Sequence, residues 1–330
     1  MIQGVLTTAG ERLGVDCAVP WVGKLIQEAA DGGLLAEDPG TATVRVRVED
    51  THQPFETAGW EPLARGVFGH DGSLVLRNLL STGFDLRVDR AAGTALFTFR
   101  WRPPRRERAM ALALRSRFHL LARSALLRYP ALWRAGTRGR APLHASACTA
   151  GDGRVALLAG PGGVGKSTLV SMELADGGRA VSDNVCVADG ASAWGVVEPL
   201  RVEGGGGRRM PHGRRETAMP GRAPVLRPDR VVVLRRGSSP TASVRPCSPE
   251  AASRSLVTGT YMAQELRRYW AFAATLAAGT GTGPPHPPVA EVAAAFASRL
   301  PATLVILPDR PGPRLRELLD SVDQEAGTWT

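Results

Sequence analysis

Hydrophobic and polar positions in the first hundred residues alternate with a period of two. Valines and arginines alternate over Thr43 to Val48, and the same alternation returns in Phe84 to Val88 and in Ala95 to Trp101. Side chains two residues apart share one face of a strand, so these segments predict half-buried strands in a β-rich N-terminal domain over 1–104. After Pro103 and Pro104 the spacing changes. Glu107 to Trp133 carries apolar residues at helical spacing with arginines between them, which predicts a long amphipathic helix or a helix pair ended by Pro130 or Gly136. This helical connector occupies 105–141, and Gly136 to Pro142 reads as a hinge.

From Leu143 onward the pattern becomes α/β. An apolar strand at Val155 to Leu158 is followed by a glycine-rich turn, a helix from about Lys166 to Leu174 and a short strand around Ala180 and Val181, which together predict a parallel βαβ unit. Val231 to Leu234 and Leu304 to Leu307 are further strand candidates, and Pro249 to Ala278 reads as helical. Gly204 to Arg222 is too rich in glycine and charge to pack, and Gly279 to Pro288 reads as a Gly/Pro linker. The expected fold is an α/β C-terminal core over 142–330 preceded by the smaller β-rich α+β N-terminal domain.

Composition narrows the class. With 330 residues, 43% hydrophobic and 22% charged, the chain can bury roughly two cores, and full disorder is excluded. No run of eighteen uncharged apolar residues occurs, and the N-terminus has neither a basic start nor a continuous apolar stretch. A cytoplasmic protein with no membrane span is therefore expected. The net charge of +10 comes from 39 arginines and two lysines, Lys24 and Lys166. A bias spread over the whole chain argues for nucleic acid less than a local basic stripe would, so nucleic acid is not an expected partner. Cys17, Cys148, Cys186 and Cys247 lie far apart, which suggests neither a zinc knuckle nor a disulfide framework.

One motif carries chemistry. Gly160, Pro161, Gly162, Gly163, Val164, Gly165, Lys166, Ser167 and Thr168 satisfy G-x-x-x-x-G-K-[ST], after an apolar strand and before a helix. Glycines let successive N–H groups turn inward as an anion cradle, and the helix N-terminus adds its dipole to the same spot. Lys166 would supply a cation to the outer phosphates, and Ser167 a hydroxyl to Mg²⁺, so ATP and Mg²⁺ are the expected ligands. No N-K-x-D element exists to read guanine, and no L-S-G-G-Q segment marks a transporter ATPase. An acid to hold the metal or accept a hydroxyl proton is offered by Asp183, in V-S-D-N at the end of the strand after the loop helix, with Asp309 in L-V-I-L-P-D as the alternative.

The series Leu143-His144-Ala145, then G-P-G-G-V-G-K-S-T, then G-G-R-A-V-S-D-N resembles the HPr kinase/phosphorylase catalytic domain, clearly over Pro142 to Asp189 and loosely beyond. The resemblance implies a phosphoenolpyruvate carboxykinase-like P-loop core that phosphorylates a serine-type hydroxyl on a peptide or small protein. It implies Lys166 on the phosphates, Ser167, Asp183 and Asn184 at the metal, Asp183 as base, and His144 near the acceptor. Two departures stand out: the second Asp of the family pair is Asn184 here, and the I-R-G-L-G type substrate element is absent, its place taken by Gly204 to Arg222. HPr is thus not the expected acceptor. Similar kinases beside peptide natural products, lasso peptides among them, make a precursor peptide the expected substrate class. A nucleotide-gated regulatory protein with little turnover and a small-molecule kinase remain alternatives, and a homo-oligomer is left open. Arg208, Arg209, Arg214, Arg215 and Arg222 are expected either as a solvated loop or as an anion clamp.

Overall fold

The computed structural model describes the chain except residues 92, 204–206, 211–212, 309–311 and 327–330. The alternative acid Asp309 lies outside the described residues. The architecture is mixed α/β with several sheets.

The valines of Val44–Glu49 point inward and its arginines outward, as a period of two requires. This strand sits inside a nine-stranded sheet. From one edge the order is Leu34–Leu35, Ile2–Thr8, Glu11–Cys17, Val44–Glu49, Thr94–Trp101, Phe84–Ala91, Ser73–Leu79, Val67–His70 and Glu61–Ala64. Its neighbours pair antiparallel except Val44–Glu49, which runs parallel to the strands on both sides. The Ile2–Thr8 hairpin turns through Ala9 and Gly10, both left-handed. A Cβ on Gly10 would come within 2.6 Å of Arg140 and 2.8 Å of Trp194, so this turn excludes larger residues on two counts.

One face of the sheet is closed by Pro20–Ala30, a helix outside the period-two pattern, whose Val22, Leu25, Ile26 and Ala29 fall at helical spacing and are buried. The same cluster takes in Leu132 and Trp133 of the helix Tyr129–Gly136, and Leu266, Tyr269 and Phe272 of Gln264–Thr280. The stretch expected as one or two helices is Arg105–Ala113, Arg115–Arg123, a π turn Ser124–Arg128 and Tyr129–Gly136. Pro130 does not end it. Lacking an N–H, Pro130 removes a helical hydrogen bond, and the turn before it widens so that Tyr129 N–H donates to Ser124 O.

In the second half, a five-stranded sheet runs Ala145–Thr149, Val155–Ala159, Arg230–Arg236, Ala302–Leu307, Ser243–Pro246, the middle three parallel and both edges antiparallel. Alternation sorts its side chains. Leu157, Ala159, Val231 and Val233 pack against helices Pro249–Met262 and Val289–Arg299, whereas Ala156, Leu158, Val232 and Leu234 pack against Lys166–Ala175 and Leu315–Ala326. Two helical layers therefore cover one sheet.

Three expectations are corrected. Ala180 and Val181 form no strand beside Val155–Ala159. The antiparallel strand Ala145–Thr149 occupies that edge, Ala180 bridges Cys148 on its far side, and Arg230–Arg236 is the parallel partner. The segment expected to be too polar to pack is in part a strand, with Arg215–Thr217 between Leu200–Val202 and Arg208–Arg209. A buried ion pair anchors it: Glu216 receives two hydrogen bonds from Arg123, at 3.1 and 2.6 Å. Gly279 belongs to the helix Gln264–Thr280, not to a linker; a Cβ there would lie 2.3 Å from Leu74, so glycine permits the helix to seat on the N-terminal sheet. Among the described residues no helix is long and apolar enough to cross a membrane.

Candidate functional site

The glycine-rich loop leaves the C-terminal end of Val155–Ala159 and enters the helix Lys166–Ala175. Gly160, Gly163 and Gly165 hold φ of +146°, +78° and +119°, conformations a side chain resists. A Cβ on Gly160 would also lie 2.8 Å from Leu234 O of the neighbouring strand. Gly165 stands at the N-cap, no side chain caps this helix, and its first turn holds no acid. The N–H groups of the first turn and the positive dipole end are left for an external anion.

Lys166 folds back into the loop, where its ammonium donates to Gly160 O at 2.7 Å and Pro161 O at 3.0 Å. Burial lowers its pKa to about 8, against the pull of Glu265 and Asp183. At neutral pH it remains a cation in a site that barely hydrates it.

His144 and Asp183 come to the loop by one piece of topology. Ala145 pairs with Ala159 across the antiparallel edge, which puts His144 beside the loop's first residue. The segment 179–182 runs antiparallel to Ala145–Thr149, Val181 N–H donating to Ala147 O at 3.0 Å, and so reaches the same end of the sheet at Asp183. The Ser167 hydroxyl then donates to Asp183 O at 3.3 Å. The expected adjacency of Asp183 and the loop therefore exists, by a route other than a βαβ unit.

Asp183 is 2% exposed. Its Oδ2 accepts from Arg201 N–H at 3.3 Å, and its Oδ1 has no hydrogen-bond partner. Burial and the neighbouring Glu198 carboxylate push its pKa up to about 6, against the charge of Arg201. Both ring nitrogens of His144 are likewise buried and unpartnered, although its backbone N–H donates to Thr260 Oγ1 at 3.0 Å. Burial and the charge of Lys166 drive the imidazole down to about 4, so it is neutral at pH 7. Buried polar atoms without partners are rare in folded chains and point to an absent occupant or water.

These residues do not all face one cavity. A cleft of about 430 Å³ is lined by Gly162, Gly163, Gly165, Lys166, Ser167, Thr168, His144 and Asn184, but not by Asp183. Arg201, Arg214 and Arg236 line it as well. Arg236 ends the strand next to the loop strand and donates to Pro308 O. Its guanidinium would lie 3.5 Å from a Cβ on Gly165. Arg214 lies 3.7 Å from Glu203, whereas Arg222 is turned away to Asp31 at 2.7 Å. Position at the carboxyl end of a parallel strand could have singled out Arg236 in the sequence.

No sequence signal marks the carboxylates behind the cleft. Glu198 accepts from Arg128 and, at 2.8 Å, from Arg201; Glu265 accepts from Asn184 Nδ2 at 3.0 Å and from Arg201 at 3.5 Å. Burial works to raise Glu265, but its own backbone N–H, Arg201, Arg128 and Asn184 outweigh it and hold the carboxyl below its ordinary value. These contacts join residues up to 81 apart in the chain.

Among the described residues no three His, Cys, Asp or Glu side chains gather as a metal cluster. A hard cation carried by substrate phosphates needs only one or two protein oxygens; the Ser167 hydroxyl lines the cleft and touches the main-chain oxygen of Asp183, whose unpartnered Oδ1 is buried behind the wall. No protein-family model matches the chain, and no curated protein matches it significantly.

Proposed function

We propose that the chain is an ATP-dependent kinase, built on a P-loop core of the phosphoenolpyruvate carboxykinase-like kind, that transfers the γ-phosphate to a hydroxyl of a peptide or small protein. One observation carries the reading: an uncapped helix start and a buried lysine bonded to loop carbonyls stand at the end of the sheet where the Ser167 hydroxyl meets the main-chain oxygen of Asp183. Anion cradle, mobile cation and acid are the parts phosphoryl transfer requires, because the reaction depends on positioning and charge neutralisation.

In this reading Lys166 exchanges two carbonyls for phosphate oxygens, and the first-turn N–H groups hold the same anion. Ser167, Asp183 and Asn184 would hold Mg²⁺, whose chemistry is to neutralise phosphate charge. The acceptor oxygen bonds to the γ-phosphorus, the bond to the ADP oxygen breaks, and the hydroxyl proton passes to Asp183. A carboxyl displaced to about 6 is a stronger base than an ordinary aspartate. Arg236 and Arg214 add positive charge on the cleft wall. Neutral His144 offers a donor or an acceptor to the incoming hydroxyl.

A second reading, a nucleotide-binding regulator with little turnover, is favoured by the near-complete burial of Asp183 and its absence from the cleft wall. Incubation of the purified protein with γ-labelled ATP, Mg²⁺ and a cellular peptide fraction separates the two. Label on a peptide, lost in Asp183→Asn while nucleotide binding survives, supports the kinase; tight binding without transfer supports the regulator.

A further inference from the structure

The helix Arg105–Ala113 buries none of its residues, yet it carries apolar side chains. Met110 is 47%, Leu112 79% and Leu114 42% exposed. Between this helix, its successor Arg115–Arg123 and the turn at Leu80 and Ser81 runs a groove of about 380 Å³. Leu80, Met110, Leu114 and Phe118 make its apolar surface, and Arg106 and Arg117 stand on its rim.

Two features mark the groove as more than loose packing. Leu80 and Ser81 both hold left-handed backbone, with φ of 56° and 58°, and neither is glycine. They are the central pair of a tight turn, closed by Thr82 N–H donating to Leu79 O at 3.1 Å, that joins the paired strands Ser73–Leu79 and Phe84–Ala91, so this wall of the groove has a fixed shape. Here Arg268 donates to Leu80 O at 3.2 Å, and Ser81 N–H donates to Asn78 O at 3.0 Å. Charge is the second feature. Among the described residues neither Arg106 nor Arg117 has a carboxylate within ion-pair distance, while Glu107, the acid in the lining, is occupied by Asn78 Nδ2 at 2.9 Å. With Arg106, Arg117 and Arg268 against Glu107, the groove presents apolar surface beside an excess of positive charge.

We propose that this groove docks an acidic amphipathic peptide, the segment by which the acceptor is recruited, with apolar side chains on Met110, Leu114 and Phe118 and carboxylates on Arg106 and Arg117. The identification of the peptide as acceptor rests on the kinase reading; the docking itself does not. Concavity selects a peptide over a lipid surface, because the apolar residues line a trough between three elements while a bilayer needs a flat or convex face. A net charge of +10 disfavours a second copy against an arginine rim. The groove also lies near the cleft through one helix: Arg268 faces the groove three residues after Glu265, the partner of Asn184, a rise of about 4.5 Å.

The test selects displayed random twelve-residue peptides on the full-length chain, then measures binding of the enriched peptides by fluorescence anisotropy to wild type, to Arg106→Glu/Arg117→Glu and to Met110→Asp. All three positions are exposed, and matching circular dichroism verifies folding. Enriched sequences that combine acids with apolar residues, and bind each variant at least tenfold more weakly, support the proposal. No enrichment, enrichment without acids, or affinities unchanged in the variants overturn it. So does charge-dependent binding to phosphatidylserine vesicles in place of any peptide, or a concentration-dependent dimer that the charge reversal abolishes. Equilibrium binding needs no turnover, so docking with no phosphate transfer refutes the kinase alone, and transfer without docking refutes the groove alone.

Discussion

The carboxylate of Asp183 makes the loop site unstable in the absence of ligand, and Asp183→Asn measures by how much. The ordinary aspartate value of 3.8 rises to about 6 in the folded chain, through burial and the Glu198 charge. At about 1.4 kcal/mol per tenfold change in proton affinity, ionising Asp183 in the folded chain costs about 3 kcal/mol more than in the unfolded chain. The sign follows from linkage. Between pH 4 and 6 the folded state binds more protons than the unfolded, so wild type loses stability as pH rises through that window, and the asparagine variant does not share this loss. Below pH 4 both side chains are neutral and the two proteins melt together. Above pH 6 the variant is more stable by about 3 kcal/mol, or about 4 °C in Tm for a chain of this length, from typical unfolding entropies per residue. Thermal melts of both proteins from pH 4 to 8, without nucleotide, give the difference directly. A difference that is flat with pH, or a variant that melts below wild type at pH 7, refutes the argument. With Mg-ATP added, both proteins should gain stability, because the loop and Lys166 are intact in both; the variant should transfer no phosphate.

Lys166→Met should remove the nucleotide-induced rise in Tm, about 3 kcal/mol at a hundredfold excess over Kd, while leaving the ligand-free fold intact, as followed by thermal melts. Arg236→Ala should lower kcat by about a hundredfold or more with little change in KM for ATP, and added guanidinium should restore part of it; an unchanged kcat in the labelled-ATP assay removes Arg236 from the mechanism. Glu216→Ala leaves Arg123 buried without its partner and should cost about 3 to 5 kcal/mol in denaturant melts, whereas Glu216→Met with Arg123→Met should recover most of that loss.

The period of two in Thr43 to Val48, the apolar runs at Val155 and Val231, and the glycines before Lys166 each specify a local conformation. Those elements were legible from neighbours in the chain, because strand faces, helix starts and left-handed turns depend on residues a few positions apart. Lys166, Ser167, Asp183 and His144 were likewise picked out by short motifs; Ser167 touches the main-chain oxygen of Asp183, and His144 precedes the strand paired with the loop strand.

What a local pattern cannot hold is strand order. The antiparallel strand Ala145–Thr149 displaced the expected partner of Val155–Ala159, and this same displacement brings His144 and Asp183 to the loop from one side of its strand. Tertiary structure alone decided that Asp183 is sealed behind the cleft, that Glu198 and Glu265 stand beside it, and that Arg236 reaches the loop while Arg222 does not. Burial and long-range charge set those outcomes. Both are summed over neighbours brought together from distant parts of the chain, so no window of sequence contains them.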